Sequence, residues 1–300
     1  MIHSLERIEA PVTAHRVVSH DGTEIAYYVA GRGPRTWVIP PGIATPLMSW
    51  KHVIERFQDA WTLVVVDPRG TYGSGHPLDP WALTIEDHAH DIRAVVQALS
   101  LDRFVLGGWS MGCQISLDYY SRYPEQVAGL VLINGPYANA LATLLPQVPG
   151  SERLLERVAR GVLKAGGRRL TPMLQQVLFK ATSPLLWKAT GMLARDAADH
   201  HVQELFEAFE VIDFEVYVRF LIQAHQHSAA HVLPRVDVPT LITSGGRDRM
   251  TPVAVGRHMH QQIRGSEHVV LADATHYALV EYPDLLNDTL GRFLGQVGAL

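Results

Sequence analysis

A serine with glycine two residues away on either side, Gly108-Trp109-Ser110-Met111-Gly112, carries the clearest chemistry in this 300-residue chain. A short apolar run, Phe104 to Leu106, leads into it, and a segment with helical spacing of apolar residues follows. In that setting G-x-S-x-G is the pattern of a sharp strand-to-helix turn, the nucleophile elbow. The spacing has a steric cause: the serine backbone at the tip is strained, and side chains two residues before and after it would collide. The hydroxyl then stands above a sheet, near the first free N–H groups of a helix whose positive end favours a developing oxyanion. The same five residues also arise by chance in glycine-bearing loops. Ser110 therefore needs a base, an acid and a second oxyanion donor elsewhere in the chain.

Two later stretches offer them. Ser244-Gly245-Gly246-Arg247-Asp248 sets an acid in a loop directly after an apolar run, and Asp273-Ala274-Thr275-His276-Tyr277 does the same for a histidine. Asp248 has a blander role open to it, as a loop cap or a partner of Arg247 or Arg249. Asp273, three residues before His276, is the competing acid. Sixteen histidines are scattered along the chain, with pairs such as His88/His90, His225/His227 and His258/His260 mostly two apart. No H-E-x-x-H or Cys/His set accompanies them, so neither a metal site nor a cofactor is expected. Near the end of the helical region, His225, His227 and His231 read as solvated or capping groups rather than catalytic ones.

Composition narrows the classes. Hydrophobic residues make up 47% and charged residues 19%, the balance of a globular protein with a full core. A net charge of −4 without a Lys/Arg run gives no footprint for nucleic acid or an anionic membrane. The longest uncharged stretch, 127–150, is broken by Gly135-Pro136, Pro146 and Pro149, so it reads as a strand and a loop, not a membrane span. The first residues show neither the basic start nor the apolar core of a signal peptide. With Cys113 the single cysteine, no internal disulfide is possible, and a reducing cytoplasm is the expected compartment. Cys113, on the elbow helix, reads as a small packed side chain. The expected partner is a small-molecule substrate.

The elements that must position these residues are legible as alternation. Two β-prone runs, Ala14–Ser19 and Glu24–Val29, flank Asp21-Gly22 and predict a hairpin. Thr36–Ile39 and Trp61–Val66 read as buried strands around a helix at Trp50–Phe57. Thr84 and Asp87 form a capping pattern opening a helix to Leu99. Val127–Ile133 is a continuous apolar strand after the elbow. From Pro136 to about Pro234 no strand is convincing; Ser151–Leu163, Thr171–Ala181 and Val202–Ile222 read instead as amphipathic helices. Strand grammar returns at Pro239–Ser244 and His268–Leu271, with helices near Val253–Ile263 and Leu285–Leu294. Continuously apolar strands alternating with helices predict an α/β fold, a mostly parallel twisted sheet covered on both faces. Residues 1–135 and 236–300 form the expected core, and 136–235 an inserted helical cap.

Over about residues 20–298, and least in the cap, the chain resembles the capped α/β-hydrolases. The resemblance rests on Gly108-Trp109-Ser110-Met111-Gly112 and on the order Ser110, Asp248, His276, which differs from the other serine-triad orders. It implies a Ser110 nucleophile, a His276 base and an Asp248 carboxylate that orients it. The second oxyanion donor in that family follows an early strand as His-Gly-x; here Pro41-Gly42-Ile43 has proline where histidine is usual. The resemblance implies backbone N–H donors at Ile43 and Met111, with Pro40-Pro41 bracing the loop. Asp67-Pro68-Arg69-Gly70-Thr71-Tyr72-Gly73-Ser74-Gly75 resembles a family loop with one extra residue, and Asp67 and Arg69 read as structural. The expected activity is hydrolysis of a small, apolar carboxylic ester through an acyl-enzyme. Serine at 110 argues against dehalogenase and epoxide-hydrolase chemistry, which needs a carboxylate there. Three alternatives stand beside it. They are C–C bond hydrolysis of a diketone, a proline iminopeptidase-like activity using Glu204, Glu207 and Glu210, and a small-ligand receptor that keeps the triad. Of the cap aromatics Phe179, Trp187, Phe206, Phe209, Phe214, Tyr217 and Phe220, one or two are expected in the cleft. Apolar cap residues such as Leu144, Leu185 and Leu186 are expected to wall it too.

Overall fold

The apolar runs become an eight-stranded sheet of order β1-β2-β4-β3-β5-β6-β7-β8. The computed structural model describes residues 7–43, 45–143, 184–198 and 211–297, with a few further positions between 153 and 206. Strands β1 (Val12–Val18) and β2 (Glu24–Gly31) form the antiparallel hairpin, its turn helped by Gly22 at φ 85. β2 also runs antiparallel to β4 (Trp61–Val66). From β4 onward every pairing is parallel, through β3 (Arg35–Ile39), β5 (Phe104–Trp109), β6 (Val127–Ile133), β7 (Thr240–Gly245) and β8 (Glu267–Leu271). The fold is therefore the mostly parallel α/β sheet expected.

Period-two alternation divides the core. Trp37, Ile39 and Val105 pack on one face with helices α1 (Lys51–Phe57) and α8 (Pro283–Val297). Val38 and Leu106 point the other way, against α2 (Ile85–Ala98), α3 (Met111–Arg122) and α6 (Val253–Gln262). Helices on both faces explain why β5 is buried along its whole length. The start of α2 is the capping box read from the sequence: Thr84 Oγ1 accepts from Asp87 N–H, and the Asp87 carboxylate accepts from Thr84 N–H.

β6 pairs directly with β7, Leu130 to Ile133 beside Thr240 to Thr243, so the long stretch between them leaves one strand and returns to its neighbour. That stretch holds α4 (Pro184–Thr190) and α5 (Phe214–Gln226) and is helical at its described positions between 153 and 164. The run Val202–Ile222 is not one helix. The chain turns at Val211-Ile212, and Asp213 caps α5 by accepting from Glu215 and Val216 N–H. An aspartate inside an apolar-periodic run is a start signal that wins over the periodicity. The segment Thr171–Ala181, with Phe179, Glu204, Glu207, Phe209, Glu210 and Leu144, lies outside the described residues. No described helix is long and apolar enough to cross a bilayer.

Candidate active site

Ser110 joins β5 to α3 with φ 58 and ψ −120, a conformation that L-residues avoid. Its N–H donates to Ile133 O at 3.0 Å, which ties the tip to β6. The flanking glycines are required by what lies opposite. A Cβ on Gly108 would sit 2.6 Å from Pro40 O, and one on Gly112 would sit 2.9 Å from the same oxygen.

The loops after β7 and β8 bring Asp248 and His276 to this tip. His276 Nδ1 lies 2.9 Å from Asp248 Oδ2, and Nε2 lies 2.9 Å from Ser110 Oγ. Because a carboxylate only accepts, Nδ1 carries the proton, and Nε2 is left to accept from the serine hydroxyl. The Asp248 side chain is fully buried and the His276 side chain 5% exposed. Asp248 Oδ1 accepts from Met250 and Thr251 N–H at 2.7 and 2.8 Å, and Oδ2 from the Thr251 hydroxyl at 2.6 Å. Asp273, the competing acid, is exposed and paired with Arg247 at 2.6 Å. The Trp109 indole N–H donates to His276 O at 2.9 Å, and Asn134 Nδ2 to Thr275 O at 3.0 Å.

Met111 opens α3, so its N–H has no partner within the helix. Met111 and Ile43 border the same cavity as Ser110 and His276. The Gly42 loop lies hard against the elbow, where an added Cβ would meet Trp109 O at 2.9 Å. Beneath the elbow Cys113 packs its Sγ toward Gly108 O and Ile133 O. Burial pushes its thiol well above the usual range, which makes it inert packing.

The cavity above Ser110 has a volume of about 60 Å³. Among the described residues its walls are mainly apolar: Ile43, Trp109, Met111, Leu141, Tyr217, Leu221, Ala224, Met250 and Tyr277, with Gln114 and Thr251 as polar neighbours of the reacting groups. No Lys, Arg, Asp or Glu is among them. Of the aromatics expected in the cleft, Tyr217 is the one among the described residues that borders the cavity. Leu221 and Ala224, on the same stripe of α5, were missed; their 217-221-224 spacing marks one helix face but does not by itself tell which apolar face turns to the cleft. Leu185 and Leu186, expected in the wall, are instead 76% and 47% exposed. Trp187 packs behind Tyr277, ring centroids 5.6 Å apart, and edge-on to Phe206. Phe220 is fully buried beside His88.

The other singled-out groups sit away from the cavity. Fully buried Arg69 donates to Asp91 through Nε and Nη2 (2.8 and 2.6 Å), and through Nη1 to Asp21 and Ala82 O. It thus ties the hairpin turn to α2. Asp67 Oδ2 accepts from Tyr28 O–H and Gly73 N–H, both at 2.9 Å, and burial pushes its carboxyl up to about 6. Both are structural, as read. His227 pairs with Asp118 at 3.3 Å, His225 is buried and His231 exposed; none lines the cavity.

A family model described as alpha/beta hydrolase fold matches residues 37–283. The chain is 25% identical over 235 residues to a pimeloyl-[acyl-carrier protein] methyl ester esterase of Neisseria meningitidis serogroup C, covering 77% of this chain and 82% of that one. It is 24% identical over 304 residues to a 2-hydroxy-6-oxononadienedioate/2-hydroxy-6-oxononatrienedioate hydrolase of Paraburkholderia phymatum, covering 99% and 100%. The crystal structure of a hydrolase from Pseudomonas aeruginosa matches with a TM-score of 0.77 at 20% identity, over 94% of this chain and 98% of that one. At that identity the likeness is one of fold.

Proposed function

The chain belongs to the alpha/beta hydrolase fold family, and we propose that within it this protein is a serine esterase acting on a small, uncharged carboxylic ester. The observation that carries the reading is the hydrogen-bonded line Ser110–His276–Asp248, opening into an apolar cavity. His276 Nε2 takes the Ser110 proton as Oγ bonds to the ester carbonyl carbon. Asp248 holds the Nδ1–H tautomer and stabilises the imidazolium. The N–H groups of Met111 and Ile43 receive the oxyanion, each such donor being worth roughly 3–4 kcal/mol. The alcohol departs with the proton from His276. Water then loses a proton to Nε2, attacks the acyl-enzyme and releases the carboxylic acid and free Ser110. Residues 136–235 serve as a cap in this scheme, a role supported by the direct β6–β7 pairing and by the α5 side chains in the cavity wall.

C–C bond hydrolysis is the second reading, favoured by the end-to-end similarity to the Paraburkholderia dioate hydrolase. A dioate carries two carboxylates, and the described cavity wall offers no cation to receive one; an uncharged ester fits it better. A fluorophosphonate should label Ser110, and Ser110→Ala should lose both the label and the turnover of short acyl esters. Label on Ser74 or Ser244 would overturn the assignment. Preference for a succinyl over an uncharged ester of equal length, or for a vinylogous diketone over both, would overturn the substrate class.

A further inference from the structure

Glu281 ends the short helix α7 (Ala278–Glu281), and only 5% of it is exposed. A carboxylate removed from water needs donors on both oxygens. It has them. Oε2 accepts from Thr275 N–H at 2.8 Å, while Oε1 accepts from the Thr275 hydroxyl at 2.7 Å and from Ala194 N–H at 2.8 Å. Two of the three donors belong to the residue that precedes His276. The third belongs to the segment that follows α4.

The carbonyl side of the same loop is held separately. Asn134 Nδ2 donates to Thr275 O and Trp109 Nε1 to His276 O. The loop must be held this well because one imidazole meets two distance demands at once, 2.9 Å to Asp248 and 2.9 Å to Ser110. A shift of the backbone moves both ring nitrogens together, and two side-chain torsions cannot restore both contacts. Neutral N–H donors, one amide and one indole, hold the carbonyl side, whereas a carboxyl group holds the N–H side. Hydrogen bonds to an ionised acceptor are roughly twice as strong as neutral ones.

We propose that Glu281 is a positioning residue for His276: it fixes the Thr275 peptide from behind and seats the Ala194 segment on the same loop. The proposal rests on His276 being the base for Ser110.

Glu281→Gln keeps the side-chain shape but turns one oxygen into a donor that faces an N–H. With active sites counted by fluorophosphonate titration, kcat per competent site should fall on the order of 10²-fold, the loss typical of a reacting group displaced by about 1 Å. KM should change little, since the cavity wall is untouched. Thr275→Val, which leaves the carboxylate two N–H donors, should lose less. The double variant should be no slower than Glu281→Gln alone, because the two changes break one coupled unit. Native kcat per titrated site in Glu281→Gln, even with a lowered Tm, would overturn the proposal. Where that variant does not fold, native kcat in Thr275→Val overturns it. Inactive Ser110→Ala beside a native-like Glu281→Gln would reject the positioning role alone. Full turnover in Ser110→Ala would reject the triad and this role together.

Discussion

Asp248 has no lone pair to spare: both oxygens are engaged, by two backbone N–H groups, the Thr251 hydroxyl and His276 Nδ1. Such a carboxylate is fixed in position and cannot follow a moving ring, so the imidazole tautomer is set by a rigid acceptor. Asp248→Asn presents His276 Nδ1 with an amide that can hold the wrong tautomer. Turnover should fall by about 10⁴-fold with the fold intact. Asp273→Asn should stay near the native rate, since that side chain is exposed and paired with Arg247. Stopped-flow or steady-state ester hydrolysis on both variants decides; the reverse pattern would move the acid to position 273.

Elements explain which parts of the site could be read in advance. That Ser110, Asp248 and His276 would come together was legible because each sits just past an apolar run, and strand ends are written locally in the sequence. The capping box at Thr84 was legible for the same reason. The cavity wall was not. On α5 both the Val216/Phe220 stripe and the Tyr217/Leu221 stripe are apolar, and only packing against the sheet decides which turns inward. The expected helix Val202–Ile222 also ran through a turn, because apolar periodicity continued past the cap at Asp213. Leu185 and Leu186 show the limit of counting surplus apolar residues, for both point outward. Glu281 had no signal of its own. One of its donors, Ala194 N–H, lies 87 residues away in the chain.

At the scale of the whole molecule, stability should carry a mark of Asp67. Burial raises its carboxyl from 3.8 to about 6 in the folded chain, so folding favours the protonated form. The sign follows directly. The folded state binds more protons in that interval, and the stabilisation present below about pH 4 is lost as pH rises through about 6. Asp67→Asn removes this titration. The unfolding free energy of the native chain should therefore decline relative to the variant between those limits, by up to about 3 kcal/mol. Urea unfolding at a series of pH values measures the difference, and parallel pH curves would show that burial of Asp67 has no such effect.

The backbone at Ser110 sets a conflict between durability and work. At φ 58 and ψ −120 the residue that would rest there without strain is glycine, and a side chain costs on the order of 1–3 kcal/mol. Ser110→Gly should then melt higher than the native chain, despite losing the hydrogen bond to His276, and should hydrolyse nothing. Selection for robustness alone would drift toward that silent glycine. A thermal-stability screen run without an activity filter would pick it out, and an unchanged or lower Tm in Ser110→Gly would show that the turn stores no such tension.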